Sequence, residues 1–130
     1  MSSSDHLTNP QIRIGVKTAY LDSESDPAKE RYVFAYTVTI ENIGHTSSQL
    51  INRHWIIVDG NGKEQEVKGE GVVGEQPIIN PGTGYQYTSG TMLETPVGIM
   101  RGSYEMRDAD GHMFDAEIKP FTLAIPRVLH

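Results

Sequence analysis

Apolar residues recur at every second position through most of this chain, a period that suits half-buried β-strands and no regular helix. Ile12, Ile14, Val16, Thr18 and Tyr20 alternate with Gln11, Arg13 and Lys17. The same even-numbered phase returns in Tyr32, Phe34, Tyr36, Val38 and Ile40, with Val33, Thr37, Thr39 and Glu41 between them. From Leu50 to Asp59 both faces are apolar: Ile51, Trp55 and Ile57 fall on one, and Asn52, His54, Ile56 and Val58 on the other. A strand with two apolar faces belongs near the middle of a sheet. Tyr85 to Thr88 resumes the alternation, Val97 to Asp108 carries Met100, Tyr104 and Met106 in phase, and His112 to Lys119 carries Phe114, Ala116 and Ile118. Phe121, Leu123 and Ile125 extend the pattern beyond Pro120, which interrupts that strand or marks a sheet edge. No long window shows apolar spacing of three and four with capping residues, so no sizeable helix is expected.

Turn signals divide the strands. Asp59-Gly60-Asn61-Gly62 reads as a tight primed hairpin turn, with Lys63 to Lys68 as an exposed returning strand. Asp110-Gly111 closes a second hairpin, and Gly69 to Gly82 is a Gly/Pro-rich connection. The expected fold is all-β: an immunoglobulin or fibronectin type III-like sandwich of two antiparallel sheets, about seven or eight strands, with Trp55 in the core. A small closed barrel is the rival. The expected organisation is a flexible tail over 1–10, a single domain over 11–126 and a short tail over 127–130.

The 130 residues suffice for one such core without a staple. The chain has no cysteine, which excludes thiol nucleophiles, thiolate metal sites and disulfides. Seventeen acidic against eleven basic residues give a net charge of −6, with no cationic stripe, so nucleic acid is not an expected partner. Neither a signal-like start nor a membrane-length apolar run is present, and the cytoplasm is the expected location.

The stretch Gly69-Glu70-Gly71-Val72-Val73-Gly74 matches GxGxxG, the pattern that lets backbone amides approach a pyrophosphate. The dinucleotide-binding reading needs a buried parallel strand before the motif and a helix after it. Here the polar run Lys63-Glu64-Gln65-Glu66 precedes it, and Pro77 and Pro81 follow. A helix-free anion nest is the looser alternative, formed by Gly69, Gly71, Val72 and Gly74 with Arg53 or His54 as the nearby cation. The plain reading of the glycines is an irregular crossover. His6, His45, His54, His112 and His130 show no metal-ligand spacing, and Asp108, Asp110 and Asp115 lack the Glu and flanking helices of an EF-hand, Lys119 standing where the Glu belongs. No GxSxG elbow occurs, and neither catalysis nor a cofactor is expected.

Asn52-Arg53-His54-Trp55-Ile56-Ile57-Val58-Asp59, the run from Gly69 to Pro77, Pro81-Gly82, Tyr85-Gln86-Tyr87-Thr88-Ser89-Gly90, and Thr95-Pro96 through Gly102-Ser103-Tyr104-Glu105-Met106 together resemble the ApaG family. The resemblance runs from about Ile12 to Ile125. It implies a fibronectin type III-like sandwich and a bacterial source, with the gene near those for diadenosine tetraphosphate hydrolase and an rRNA dimethyladenosine transferase. It also implies a link to magnesium and cobalt transport or resistance. Related domains in F-box proteins and in a DNA polymerase delta-interacting protein imply partner recognition more than shared catalysis. The expectation is therefore a non-enzymatic protein-binding module. The alternatives are a sensor of phosphate, pyrophosphate or diadenosine polyphosphate, or a binder of divalent metal.

Overall fold

The computed structural model describes residues 11–126. The tails expected over 1–10 and 127–130 lie outside the described residues. Eight strands follow one another: β1 (Ile12–Tyr20), β2 (Tyr32–Asn42), β3 (Ser48–Asp59), β4 (Glu64–Glu70), β5 (Ile78–Ile79), β6 (Gly84–Leu93), β7 (Val97–Asp108) and β8 (Met113–Ala124). Two one-turn 3-10 helices, Asp22–Glu24 and Pro27–Lys29, fill the β1–β2 connection. The smaller sheet has the order β1-β2-β6 and the larger β4-β3-β7-β8, with β5 pairing the start of β3; every pairing is antiparallel. β1 packs beside β8 without joining its ladder, so the two sheets form a sandwich and not a closed barrel.

Two changes of phase in the sequence are β-bulges. Leu50 is buried at an even position, whereas Trp55 and Ile57 are buried at odd ones. Strict alternation cannot connect them. The register shift between Leu50 and Asn52, against Met106 and Glu105, makes Ile51 the extra residue. Leu50, rather than Ile51, therefore shares the core face with Trp55. Likewise Ala116 and Ile118 are buried before Pro120 and Leu123 after it. Between the pairs Gly102↔Ile118 and Met100↔Phe121, Lys119 and Pro120 together oppose Arg101. Pro120 thus lies inside β8, at a bulge on an edge strand, where its missing N–H is tolerated.

The core gathers Phe34, Val38 and Ile40 of β2, Leu50 and Trp55 of β3, and Met100, Tyr104 and Met106 of β7. Trp55 meets Tyr36, Tyr104 and Phe121 edge-on, with ring centroids 5.3, 6.2 and 6.0 Å away. Such pairs add about 0.5–1.5 kcal/mol each beyond burial. The hydroxyls of Tyr87 and Tyr104 hydrogen-bond to each other between the sheets. Burial pushes both above the ordinary tyrosine range; at Tyr87 the hydrogen bond from Tyr104 and the charge of Arg53 oppose that rise.

The hairpin at Asn61-Gly62 differs from expectation. Of its residues only Gly62 has a positive φ, and Gly62 N–H donates to Asp59 O, so this is an ordinary turn closed by a glycine bulge and not a primed turn. Asp59 Oδ1 accepts the amides of Asn61 and Lys63. Asp108 repeats the arrangement with the amides of Asp110 and His112. The turn whose two central residues both have positive φ is instead Val73-Gly74, at 42° and 81°, between the mutually hydrogen-bonded Val72 and Glu75.

Candidate functional site

The outward side chains of the larger sheet can be read from its register. One row across β4, β3, β7 and β8 is Glu70, Asn52, Glu105 and Asp115; the next is Lys68, His54, Ser103 and Glu117. All of these but Glu117 line a shallow cavity of about 470 Å³, together with Arg53 and Gly69. Asn52 Nδ2 donates to Glu105 Oε1 at 2.7 Å. His54 Nε2 lies 2.6 Å from Glu66 Oε2, and Lys68 Nζ 3.8 Å from the same oxygen. The hydrogen bond from His54, and then the charge of Lys68, hold the Glu66 carboxyl below the usual carboxylate range. Ser103, His54 and Glu66 are the residue types of a hydrolytic triad. Among the described residues, however, no hydrogen bond joins Ser103 to the imidazole, and the neighbouring backbone belongs to sheet ladders. Neither an activated hydroxyl nor an oxyanion hole is assembled.

Beyond these rows aliphatic side chains join the same face. Ile56 and Val58 of β3 are half-buried there, Ile56 between Glu66 and Arg101, and Val97 and Ile99 of β7 are each 46% exposed, with Val58 directly opposite Ile99.

The Gly-rich stretch divides between two structures. Gly69 is the penultimate residue of β4, and the Gly69–Gly82 connection also holds β5. The Arg53 guanidinium lies flat against Gly69, where a Cβ would sit 2.8–2.9 Å from its atoms. Arg53 Nη1 donates to the carbonyls of Glu70 and Gly71, both at 2.9 Å. Gly71 has φ +63°, and a Cβ there would stand 2.3 Å from the Glu75 carbonyl oxygen. The bulge at Ile51 completes the anchorage: its carbonyl accepts Gly71 N–H at 2.8 Å and Gln76 Nε2 at 3.0 Å. The structure therefore brings Arg53, His54 and Gly69 to one cavity, while Gly71, Val72 and Gly74 form the adjoining hairpin. Gly71 and Val72 amides donate to Ile51 and Glu75. Arg53 faces carbonyls rather than open amides.

Asp108, Asp110 and His112 at the β7–β8 turn each place a ligand-type atom within 4.8 Å of the others. The sequence grouped Asp115 with these aspartates, but it lies in the outer-face cavity. One Asp108 oxygen already accepts two turn amides.

A family profile described as ApaG domain matches residues 22–108. The chain belongs to the ApaG family. It is 62% identical over 120 residues to Protein ApaG of Thiobacillus denitrificans, covering 92% of this chain and 94% of that one. Protein ApaG of Pseudomonas paraeruginosa is 56% identical over 130 residues, with both chains fully covered. A crystal structure of an ApaA protein from Bordetella pertussis superposes with a TM-score of 0.89 at 47% identity, covering 92% of this chain and 97% of that one. Against this family framework, Asn52, Ser103 and Glu105 are additions to the sequence candidates, and Asp115, weighed in the sequence only as part of a calcium loop, joins them. No short motif marks them, because only strand register puts them side by side.

Proposed function

We propose that this ApaG family member is a non-catalytic binding module that takes a protein partner on the outer face of its larger sheet. The observation that carries this reading is the aliphatic strip Ile56, Val58, Val97 and Ile99 on a face directed to solvent. The solvated face of an antiparallel sheet is ordinarily polar. Clustered exposed aliphatics bordered by polar groups are the composition of a protein interface core and its rim. Here the rim is the adjoining cavity with its Asn52–Glu105 pair and the His54–Glu66 pair beside it, which offer fixed donors and acceptors. Turnover is not supported, because the cavity assembles no nucleophile and base at hydrogen-bond distance.

The test is affinity capture from a bacterial lysate with three baits: the wild-type protein, Val97→Lys with Ile99→Lys, and Thr39→Lys. Thr39 lies on the outer face of the smaller sheet and serves as the control. ¹⁵N–¹H spectra establish that each bait is folded. A specific partner held by wild type and by the Thr39 variant, and lost from the double variant, is the expected result. Identical capture by all three would refute this surface.

A further inference from the structure

We infer that the free edge of β6 accepts one extended segment of a partner protein as a fourth strand of the smaller sheet. Among the described residues the sheets end on β1, β4, β6 and β8, besides the two-residue β5, and three of those four carry features that oppose strand addition. β8 has Pro120, a bulge, and Asp115, Glu117 and Lys119; β4 is short and bears Glu64, Glu66, Lys68 and Glu70; β1 carries Arg13 and Lys17. β6 has none of them. Its ten residues, from Gly84 to Leu93, include no charged side chain and no proline, and their pairing with β2 runs without a bulge from Glu41↔Gly84 to Tyr32↔Leu93.

The opposite sheet supplies a second, independent observation. The smaller sheet has three strands and the larger five, four of them on one path, and β1 packs beside β8, so β4 ends the larger sheet on the side away from β8, where β6 ends the smaller one. Val67 of β4 is paired with Trp55 and shares its core-directed face, yet it is 38% exposed, whereas Trp55 is 2% exposed. A strand hydrogen-bonded to β6 would lie under β4 and cover Val67. Strand addition of this kind draws affinity from main-chain hydrogen bonds and selectivity from alternate side chains.

The same end of the sandwich selects the occupant. Antiparallel pairing of two β6 edges about a two-fold axis normal to the sheets would drive the second copy's larger sheet into the layer where β4 lies. A lone extended segment meets no such obstacle. The slot itself carries little charge: Glu64, Glu66, Lys68 and Glu70 stand on the opposite, outer face of β4, and Glu94 at the end of β6 is paired with Lys63. The segment that fits alternates small apolar with hydroxyl residues. The inference shares with the proposed function only the class of partner, since β6 and the Ile99 strip are separate surfaces.

The test uses a synthetic peptide of about eight alternating Thr and Val residues, a length matched to the strand, with a Lys pair at each end for solubility. The peptide is titrated into ¹⁵N-labelled protein. Saturable shifts concentrated on Gly84–Leu93 and Val67 are expected. A peptide with Pro at a central position should produce none, because its main chain cannot complete the ladder. Val67→Ser should weaken binding about fivefold through loss of apolar floor. The Val97→Lys, Ile99→Lys variant should bind the peptide as wild type does, which separates failure here from failure of the outer-face reading. Absence of shifts at millimolar peptide, shifts centred on β1, β8 or Ile99, or concentration-dependent dimerisation through β6 without peptide would each overturn the inference.

Discussion

Replacing Gly69 by alanine would add a single methyl group 2.8–2.9 Å from the guanidinium of Arg53. Gly69 has no positive φ, so its backbone suits alanine and the contact alone sets the outcome. To make room, the guanidinium must leave the carbonyls of Glu70 and Gly71, each now 2.9 Å from Nη1. A buried charged hydrogen bond contributes about 1.5–3 kcal/mol; these are partly exposed, so about 1 kcal/mol each is the appropriate figure. Gly69→Ala should therefore destabilise the fold by about 2 kcal/mol. Arg53→Ala removes the same two bonds along with some stem packing and should cost about 2–3 kcal/mol. The double variant loses the bonds only once, so the two effects should fail to add by about 1.5–2 kcal/mol. Urea unfolding of the four proteins, at a common m-value, measures this. Each single variant should also lower Tm by about 6–10 °C. Additivity within about 0.4 kcal/mol, or a neutral Gly69→Ala, would refute the claim that this glycine exists to seat Arg53.

Tyr104→Phe should destabilise by about 1–3 kcal/mol because it strands the Tyr87 hydroxyl, whereas the double Phe variant should recover most of that loss; chemical denaturation of the three variants tests it. Both tyrosines have folded pKa values above the ordinary 10, so the unfolded chain releases these protons first. Stability should be intact below pH about 10 and fall as pH rises above it, which alkaline unfolding followed by tyrosinate absorbance would register. Gly102→Ala should not yield folded protein, since its Cβ would sit 2.0 Å from the His54 carbonyl oxygen. Gly111→Ala, with open space but φ +87°, should cost only about 1 kcal/mol of unfolding free energy. The Glu66 carboxyl should titrate below its ordinary 4.5 by NMR and move back up in His54→Phe. Its lowered folded value stabilises above the unfolded pKa and is lost as pH falls through the folded one. Because both side chains are exposed, the midpoint is the informative readout and not stability.

Alternation made six of the eight strands legible in outline, because a two-layer sandwich obliges core residues to return at every second place. What alternation could not carry was phase across a bulge. Leu50 and Trp55 are both core residues five positions apart, an odd interval that a regular strand forbids; placing Ile51 with Trp55 kept the period and missed the extra residue. The same odd interval separates Ile118 from Leu123, and there Pro120 pointed to the irregularity. The Asn61-Gly62 turn was found in place but not in type, since Asp59 captures two amides with its carboxylate and leaves only Gly62 in the left-handed region. β5 is two residues long and has no period to read.

The candidate site was legible to the extent that its residues are close in sequence. Arg53, His54 and Gly69 meet because adjacent antiparallel strands pair Arg53 with Gly69 directly. Asn52, Glu105 and Asp115 meet across three strands, of which only β7 and β8 are joined by a hairpin, and no local pattern encodes that distance. The glycines illustrate the difference between a motif and its geometry. GxGxxG is defined by freedom of the backbone, and in this fold Gly69 uses that freedom to admit a guanidinium and Gly71 to pass the Glu75 carbonyl, while Gly74 completes a two-residue turn. The loop that results is pinned to β3 through Ile51, Arg53 and Gln76. Its rigidity bears on both proposed surfaces, because Arg53 fixes the end of β4, and β4 borders the outer cavity on one face and carries the partly exposed Val67 on the other. Loosening the Arg53–Gly69 contact should therefore weaken partner binding at either surface without touching a residue of the strip or of β6.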